Sequence, residues 1–131
     1  MNTNKKIPAE TFDSVAEAVI GAAYEVSNTL GAGFLEKVYE RALAKELSLR
    51  GIPVRPQVPY KITYKGHPIA EYIADLVVDD RLLIEVKCVN TLVKEHLAQS
   101  LNYLKASNLS LALLINFQHS KVVWQRVVYD F

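Results

Sequence analysis

Two long stretches near the start of the chain have the apolar spacing of amphipathic helices. Between residues 12 and 30, apolar side chains recur every three or four positions, and the stretch ends at Gly31. The same spacing returns between residues 34 and 50, where Gly51 ends it. We therefore predict two consecutive helices. The second is expected to face the core through Leu35, Val38, Ala42, Leu43 and Leu47.

The hydrophobic period then changes to two residues, which is typical of β-strands. In "VPYKITY", residues 58–64, apolar and polar side chains alternate along the chain. A second strand is expected over residues 69–78, after the turn "KGHP", and a third over residues 82–89, after "DDR". Because the connections between them are short, we predict that these three strands form an antiparallel meander.

The last third of the chain predicts one more helix and two more strands. Residues 90–108 form an amphipathic pattern that Asn90 could cap, residues 111–117 are nearly all apolar, and residues 121–129 follow a turn. The long crossover through the helix predicts that the third and fourth strands are parallel. The element order is ααβββαββ, which indicates an α/β fold. Residues 1–8 are predicted to be a loose tail.

Composition narrows the class of protein. The chain has 131 residues, half of them hydrophobic, and a net charge of +1, which fits one globular domain and not a strongly basic nucleic-acid binder. No apolar run approaches the roughly 18 residues that a membrane span needs. The start of the chain has no secretory signal pattern. The single cysteine, Cys88, indicates a reduced, buried thiol in a cytoplasmic protein. No membrane partner is expected.

Three charged residues interrupt the second and third apolar strands. Asp75 lies within "YIADLVV", and Glu85 and Lys87 lie within "LLIEVKCV". Since residues two apart on a strand point to one face, Glu85 and Lys87 share a side of the sheet. Charges in such a strand are costly unless they have partners, so their presence suggests a site.

The register of the hairpin decides whether the two acids meet. If the loop consists of residues 79–81, Val78 pairs with Leu82 and Asp75 lies opposite Glu85. A two-residue loop or a bulge would send the two carboxylates to opposite faces. We favour the three-residue loop, because two acids and a lysine on one face can jointly bind a metal ion.

This group of residues suits the hydrolysis of phosphodiesters. Two carboxylates and a backbone carbonyl offer the hard oxygen ligands that Mg²⁺ prefers. The metal would activate water and neutralise phosphate charge, and Lys87 would orient the water or stabilise negative charge. An ordinary interpretation is equally open on these residues alone: Glu85 and Lys87 could lie on a solvated edge strand, and Asp75 could lie in a bulge.

Nearby polar residues allow two interpretations as well. Glu36, in the first turn of the second helix, either stabilises the helix dipole or points a third acid at the metal. Tyr39, one turn on, is expected mainly to pack. Gln99 and Tyr103 share one face of the third helix, and so does His96, for which an ordinary polar face is the better interpretation.

Several separate motifs together resemble a known family. Gly33, Glu36 and Tyr39 form a G-x-x-E-x-x-Y pattern, and "ADLVVDDRLLIEVKCV", "HLAQSLNYLK" and "LLINF" follow in order. Over residues 12–128 the chain resembles the small bacterial and archaeal GxxExxY family, which is placed in the PD-(D/E)xK nuclease superfamily. The resemblance implies a restriction-endonuclease-like core, in which a mixed central sheet of about five strands is flanked by helices.

The resemblance also implies roles for particular residues. Asp75 resembles the aspartate of the superfamily motif, with "AD" in place of "PD", and Glu85 and Lys87 resemble its E-x-K. Glu36 resembles the additional acid of the first core helix. Gln99 and Tyr103 resemble the Q-x-x-x-Y of the RecB-like exonuclease branch, where this helix face supports the site and meets the DNA backbone.

The resulting hypothesis is a nuclease that depends on Mg²⁺ or Mn²⁺ and acts on nucleic acid, with DNA the expected substrate. Asp75, Glu85 and the carbonyl of Val86 would bind the metal, and Lys87 would handle the attacking water. Glu36 would bind a second metal or a metal-bound water. Two alternatives stay open: an inactive nuclease-like module that binds nucleic acid or a protein partner, and a homodimer that pairs through an exposed strand edge.

Overall fold

The computed structural model describes residues 9–130, and it describes side chains from Ser14 onward. The predicted tail, residues 1–8, lies outside the described residues. The order of elements is ααβββαββ, as the sequence predicts. The elements are α1 (Ala9–Leu30), α2 (Glu36–Leu49), β1 (Val54–Tyr64), β2 (His67–Val78), β3 (Leu82–Lys87), α3 (Lys94–Ser107), β4 (Leu111–Asn116) and β5 (Val123–Val128).

The five strands form one mixed sheet in the order β1-β2-β3-β4-β5. Neighbouring strands run antiparallel except β3 and β4, which are parallel because α3 carries the chain back across the sheet. The predicted meander and the predicted parallel crossover are therefore both confirmed. No helix within the described residues is long and apolar enough to cross a membrane.

Each face of the sheet has its own hydrophobic core. On one face, α1 and α2 pack side chains such as Val19 and Leu43 against Leu76 and Ile84. On the other face, Leu104 of α3 packs with residues of β2, β3 and β4. Every residue of β4 is buried, as expected of a central strand covered on both sides. Glu85 of β3 is therefore buried, whereas Lys87 at the end of the strand is half-buried.

The predicted inner face of the second helix is partly wrong. Leu35 is 79 % exposed and Val38 is 38 % exposed, whereas Tyr39, Leu43 and Leu47 are buried. The helix begins only at Glu36, so Leu35 belongs to the preceding loop. Tyr39 sets the inner face instead, because its ring stacks on Phe117 with 4.8 Å between centroids.

The start of the third helix also differs from the prediction. It begins at Lys94, with Val93 and not Asn90 as its N-cap residue. Nδ1 of His96 accepts a hydrogen bond of 3.0 Å from the backbone N–H of Val93. A side chain three residues into the helix thus satisfies a backbone donor at its start. This local role agrees with the interpretation of His96 as an ordinary polar residue of the helix.

The loop before α2 is fastened by the hydroxyl group of Tyr39. That hydroxyl donates to the carbonyl of Gly31 over 2.5 Å and accepts from the N–H of Phe34 over 3.2 Å. Gly33 has a φ of +111°, which side chains rarely adopt, so the tight loop needs glycine there. The G-x-x-E-x-x-Y spacing therefore builds a fixed entry to α2 and determines where Glu36 starts the helix.

Replacing Tyr39 by Phe should lower the free energy of unfolding by about 1–3 kcal/mol, because two backbone groups lose their shared partner. Urea unfolding of the purified protein would measure the change. Tyr24→Phe is the matched control, since Tyr24 lies partly exposed on α1. An equal effect in the two variants would contradict a fastening role for the Tyr39 hydroxyl.

Candidate functional site

The candidate site lies where β2 separates from β3. Val78 pairs with Leu82, as the three-residue loop predicts, but the paired residues end at Leu76 and Ile84. Strand β3 continues beyond this point and stays paired with β4 as far as Lys87. The two strands therefore form a fork, and the next residues along its arms are Asp75 and Glu85.

The two carboxylates take over the backbone hydrogen bonds that the fork interrupts. Oδ2 of Asp75 accepts from the N–H of Val86 over 2.8 Å. Oε2 of Glu85 accepts a longer bond, 3.4 Å, from the N–H of Asp75. Each acid thus binds the strand of the other, so the structure brings Asp75 and Glu85 together.

Strands β1 and β2 both change the face that they turn to each core at this point. Ala74 belongs to the core beneath α3, whereas Leu76, two residues on, belongs to the core beneath α1 and α2. On β1, Gln57 has a φ of +54°, and the regular pairing skips the rung between Gln57 and Asp75. The irregularity at Asp75 that the sequence left open is therefore present. The register of β1 with β2 is the same on both sides of it, because the two strands are irregular at the same rung.

A tyrosine on β2 holds the second acid. The hydroxyl of Tyr72 donates to Oε2 of Glu85, the same oxygen that accepts from Asp75. The ring of Tyr72 stacks on that of Tyr103, with 3.6 Å between centroids, and lies 6.2 Å from the ring of Tyr60. Both of these hydrogen bonds reach Oε2 of Glu85, and the residue is buried.

Lys87 and Gln99 connect the strand to α3. Nζ of Lys87 donates to Oε1 of Gln99 over 3.4 Å. One turn later, Tyr103 reaches the site through its stack with Tyr72. The two residues selected on the third helix therefore both contact residues of the strands, whereas His96 serves the start of the helix.

Glu36 and Val86 lie at the open end of the fork. Oε2 of Glu36 accepts from the N–H of Cys88 over 3.0 Å, just beyond the end of β3. The side chain of Val86 points into the core, and its N–H is bound by Asp75. Whether Glu36 and the Val86 carbonyl act as metal ligands stays a prediction.

Sequence reasoning missed Tyr72, Gln57 and Glu40. Glu40 is 5 % exposed and accepts from Nε2 of Gln57 over 2.5 Å and from Nζ of Lys37 over 3.2 Å. Its position one turn after Glu36 was a usable signal, since both acids face the same side of α2. Tyr72 gave little signal, because it fits the apolar alternation of its strand.

The environment of the two acids brings both of their pKa values close to neutral pH. Burial, and then the charges of Glu40 and Glu36, raise the pKa of Asp75 to about 6, against the opposing effects of the Val86 N–H and Lys87. Burial and then the charge of Asp75 raise the pKa of Glu85 to about 7. Burial and then the Glu85 carboxylate raise the pKa of Tyr72, which therefore remains a hydrogen-bond donor.

These residues fit a divalent cation as a pair of hard oxygen donors. A cation between Asp75 and Glu85 would relieve their repulsion and offset the cost of burying them. Among the described residues no three Asp, Glu, His or Cys side chains are arranged so that together they could hold a metal ion. Any metal held here would therefore rely on backbone, water or substrate oxygens for its remaining ligands.

The fold and the site together define a class of protein: a mixed five-stranded α/β sheet whose central fork carries two acids and a lysine. A family comparison finds the PD-(D/E)XK nuclease superfamily over residues 13–127. The chain belongs to this superfamily. Nucleases of this superfamily generally use divalent metal ions.

Solved structures share the fold at low sequence identity. The protein SSO0001 matches with a TM-score of 0.59 and 14 % identity, over 72 % of this chain and 50 % of that one. LHK-Exo, an alkaline exonuclease from Laribacter hongkongensis, matches with a TM-score of 0.54 and 17 % identity, over 72 % and 56 %.

A second structure of LHK-Exo, in complex with dAMP, matches with a TM-score of 0.50 and 14 % identity, over 82 % of this chain and 76 % of that one. In the first two comparisons the chain spans about half the length of the protein it resembles. None of the curated proteins compared with the chain matches it significantly. These likenesses concern the fold.

The raised pKa values predict how stability depends on pH when no metal is present. Between about pH 4 and pH 7 the folded protein holds protons on Glu85 and Asp75 that the unfolded chain has released. The free energy of unfolding should therefore fall as pH rises through this range, with Glu85 contributing on the order of 3 kcal/mol.

Urea unfolding in EDTA at several pH values would measure this slope. Glu85→Gln should flatten the dependence of stability on pH, because glutamine has no proton to release. Glu25→Gln, at an exposed position of α1, should leave this dependence unchanged. A stability that is constant or rises between pH 4 and pH 7 would show that the acids are not buried as described.

Proposed function

We propose that the protein is a nuclease that uses Mg²⁺ or Mn²⁺ to hydrolyse phosphodiester bonds of nucleic acid. The observation that supports this best is the pairing of Asp75 with Glu85 at the fork, with Lys87 following on the same strand. We also propose that the chain is a GxxExxY member of the superfamily, since Gly33, Glu36 and Tyr39 fit that motif.

We assign the metal to Asp75 and Glu85, with the carbonyl of Val86 as a third ligand. A bound divalent ion supplies a water of lowered pKa and neutralises charge on the phosphate. In this proposal Tyr72 fixes Oε2 of Glu85 and thereby aims Oε1 at the cation. Glu36, at the open end of the fork, would bind a second metal or a metal-bound water.

Lys87 is proposed to act on the attacking water or on the developing phosphate charge. Gln99 accepts a hydrogen bond from its ammonium group and so restricts where that charge can lie. Tyr103 supports the site through its stack with Tyr72. We assign these two residues a positioning role.

DNA is the proposed substrate. The support is indirect: LHK-Exo is an alkaline exonuclease, and one of its structures contains dAMP. Cytoplasmic location is proposed from the lone Cys88, and a homodimer from the free edge of β5, where Val123, Trp124 and Val128 are exposed.

Cleavage of labelled single- and double-stranded DNA and RNA tests the proposal directly. Activity should require Mg²⁺ or Mn²⁺ and disappear in EDTA. Lys87→Ala and Asp75→Asn should each lower the rate by about a hundredfold or more, because each removes a charge at the site of reaction. Asparagine can still accept the Val86 N–H, so this change removes charge with little effect on the fork.

Matched substitutions at exposed positions separate chemistry from general effects. Lys121→Ala and Asp80→Asn change the same residue types outside the fork and should retain nearly full activity. Cleavage that persists in both Lys87→Ala and Asp75→Asn would refute the assigned mechanism.

A catalytically inactive module is the second candidate. It is favoured by one observation, that within the described residues no three Asp, Glu, His or Cys side chains are arranged to hold a metal ion. Calorimetric titration separates the two candidates. The nuclease should bind Mn²⁺ at millimolar concentration or tighter, release protons on binding at pH 6–7, and lose binding in Glu85→Gln. Absence of binding would favour the inactive module.

A further inference from the structure

Two neighbouring apolar side chains project from the loop before α2. Phe34 is 49 % exposed and Leu35 is 79 % exposed. The loop that carries them is fixed, because the hydroxyl of Tyr39 binds the carbonyl of Gly31 and the N–H of Phe34. The fold therefore holds two adjacent large apolar groups exposed at a defined position.

The exposed pair borders a cavity that adjoins the candidate metal site. Its volume is about 670 Å³, and its lining is Gly33, Phe34, Leu35, Glu36, Lys37, Cys88 and Gln118. Glu36 accepts from the N–H of Cys88, which directly follows Lys87. A ligand in this cavity would therefore lie beside the open end of the fork.

The lining suits one part of a nucleic acid, the unpaired base. The ring of Phe34 offers an aromatic face, and base–aromatic stacking tolerates any base. Gln118 offers an amide that can donate to and accept from the edge of a base. Lys37 contributes a half-exposed ammonium group, although Glu40 shares it at 3.2 Å. The Glu36 carboxylate disfavours a phosphate in this cavity, which favours an uncharged base there.

We propose that this cavity is a stacking subsite for a single unpaired nucleobase, next to the phosphodiester handled at Asp75 and Glu85. The inference rests on the proposed function in one respect, that the ligand is a nucleic acid. It implies that single-stranded or frayed nucleic acid is the substrate, because a base within a duplex cannot present its face to Phe34.

The test compares two labelled oligomers of equal length, one of thymidine nucleotides and one whose sugars carry no bases. Fluorescence anisotropy in EDTA and low salt measures binding without cleavage. The protein should prefer the base-bearing oligomer. Phe34→Leu should weaken binding of that oligomer by about 5- to 100-fold and leave the abasic oligomer unchanged, because leucine keeps apolar bulk but lacks the aromatic face.

Two further kinds of variant keep the result interpretable. The ring of Phe34 also packs against Tyr39, with 6.1 Å between centroids, so Leu35→Ala provides a second change that preserves this contact. It should weaken binding of the base-bearing oligomer severalfold. Tyr24→Leu and Leu49→Ala alter exposed apolar residues elsewhere and should bind both oligomers like the unchanged protein.

The proposed stacking subsite and the proposed nuclease activity can be refuted independently. Equal binding of the two oligomers, including no measurable binding of either, overturns the subsite, as does a Phe34→Leu protein that weakens both oligomers alike. Cleavage with Mg²⁺ by a protein that shows no base preference would retain the nuclease and reject the subsite. Base preference through Phe34 without cleavage under any metal would retain the subsite and reject the nuclease.

Discussion

The hydrogen-bond ladder between β2 and β3 stops after Leu76 and Ile84, and the candidate site depends on this interruption. Backbone donors beyond the last pair are partly buried and need acceptors. The Asp75 and Glu85 carboxylates supply them, each to the opposite strand. A ladder that continued through this rung would satisfy the same donors with carbonyls. Because the ladder stops before this rung, the two carboxylates are the acceptors for these donors, and this role holds them side by side in the interior.

Holding two carboxylates in this place costs free energy, and the surroundings determine how much. Tyr72 and the Asp75 N–H stabilise one oxygen of Glu85, while Glu36 and Glu40 add unfavourable charge near Asp75. Lys87 is the nearby positive charge that lowers both pKa values. The net result is an acid pair whose geometry is already organised, which would reduce the reorganisation that the proposed cation binding requires.

Much of the fold could be predicted from hydrophobic spacing, because both periods are regular in this chain. The element order, the meander and the register from Val78 to Leu82 follow from where apolar residues recur and how short the connections are. The same register brought Asp75 to Glu85. Prediction failed where an unusual backbone or a single contact decides the outcome.

Three particulars show the reason. Gln57 adopts a positive φ although its residue type gives no sign of it, and this turns β1 over opposite Asp75. Tyr39 selects the inner face of α2 by stacking on Phe117, a residue 78 positions away, so local spacing misplaced Leu35 and Val38. Tyr72 looks like an ordinary strand residue until its hydroxyl meets Glu85. Each depends on contacts between distant segments, which local patterns do not contain.

The fork also separates two parts of the sheet whose backbone amides are expected to exchange with solvent in different ways. Strands β1 and β2 have 11 and 12 residues, whereas β3 has six, so the outer half of the β1–β2 hairpin extends past its neighbour. Backbone amides in that outer half are expected to exchange with solvent through local opening, and those of β3 and β4 only through global unfolding. Asp75 lies on the first side of this boundary and Glu85 on the second. A cation bound by both carboxylates would therefore join two cooperative units and slow hydrogen exchange in the hairpin far beyond the residues it touches.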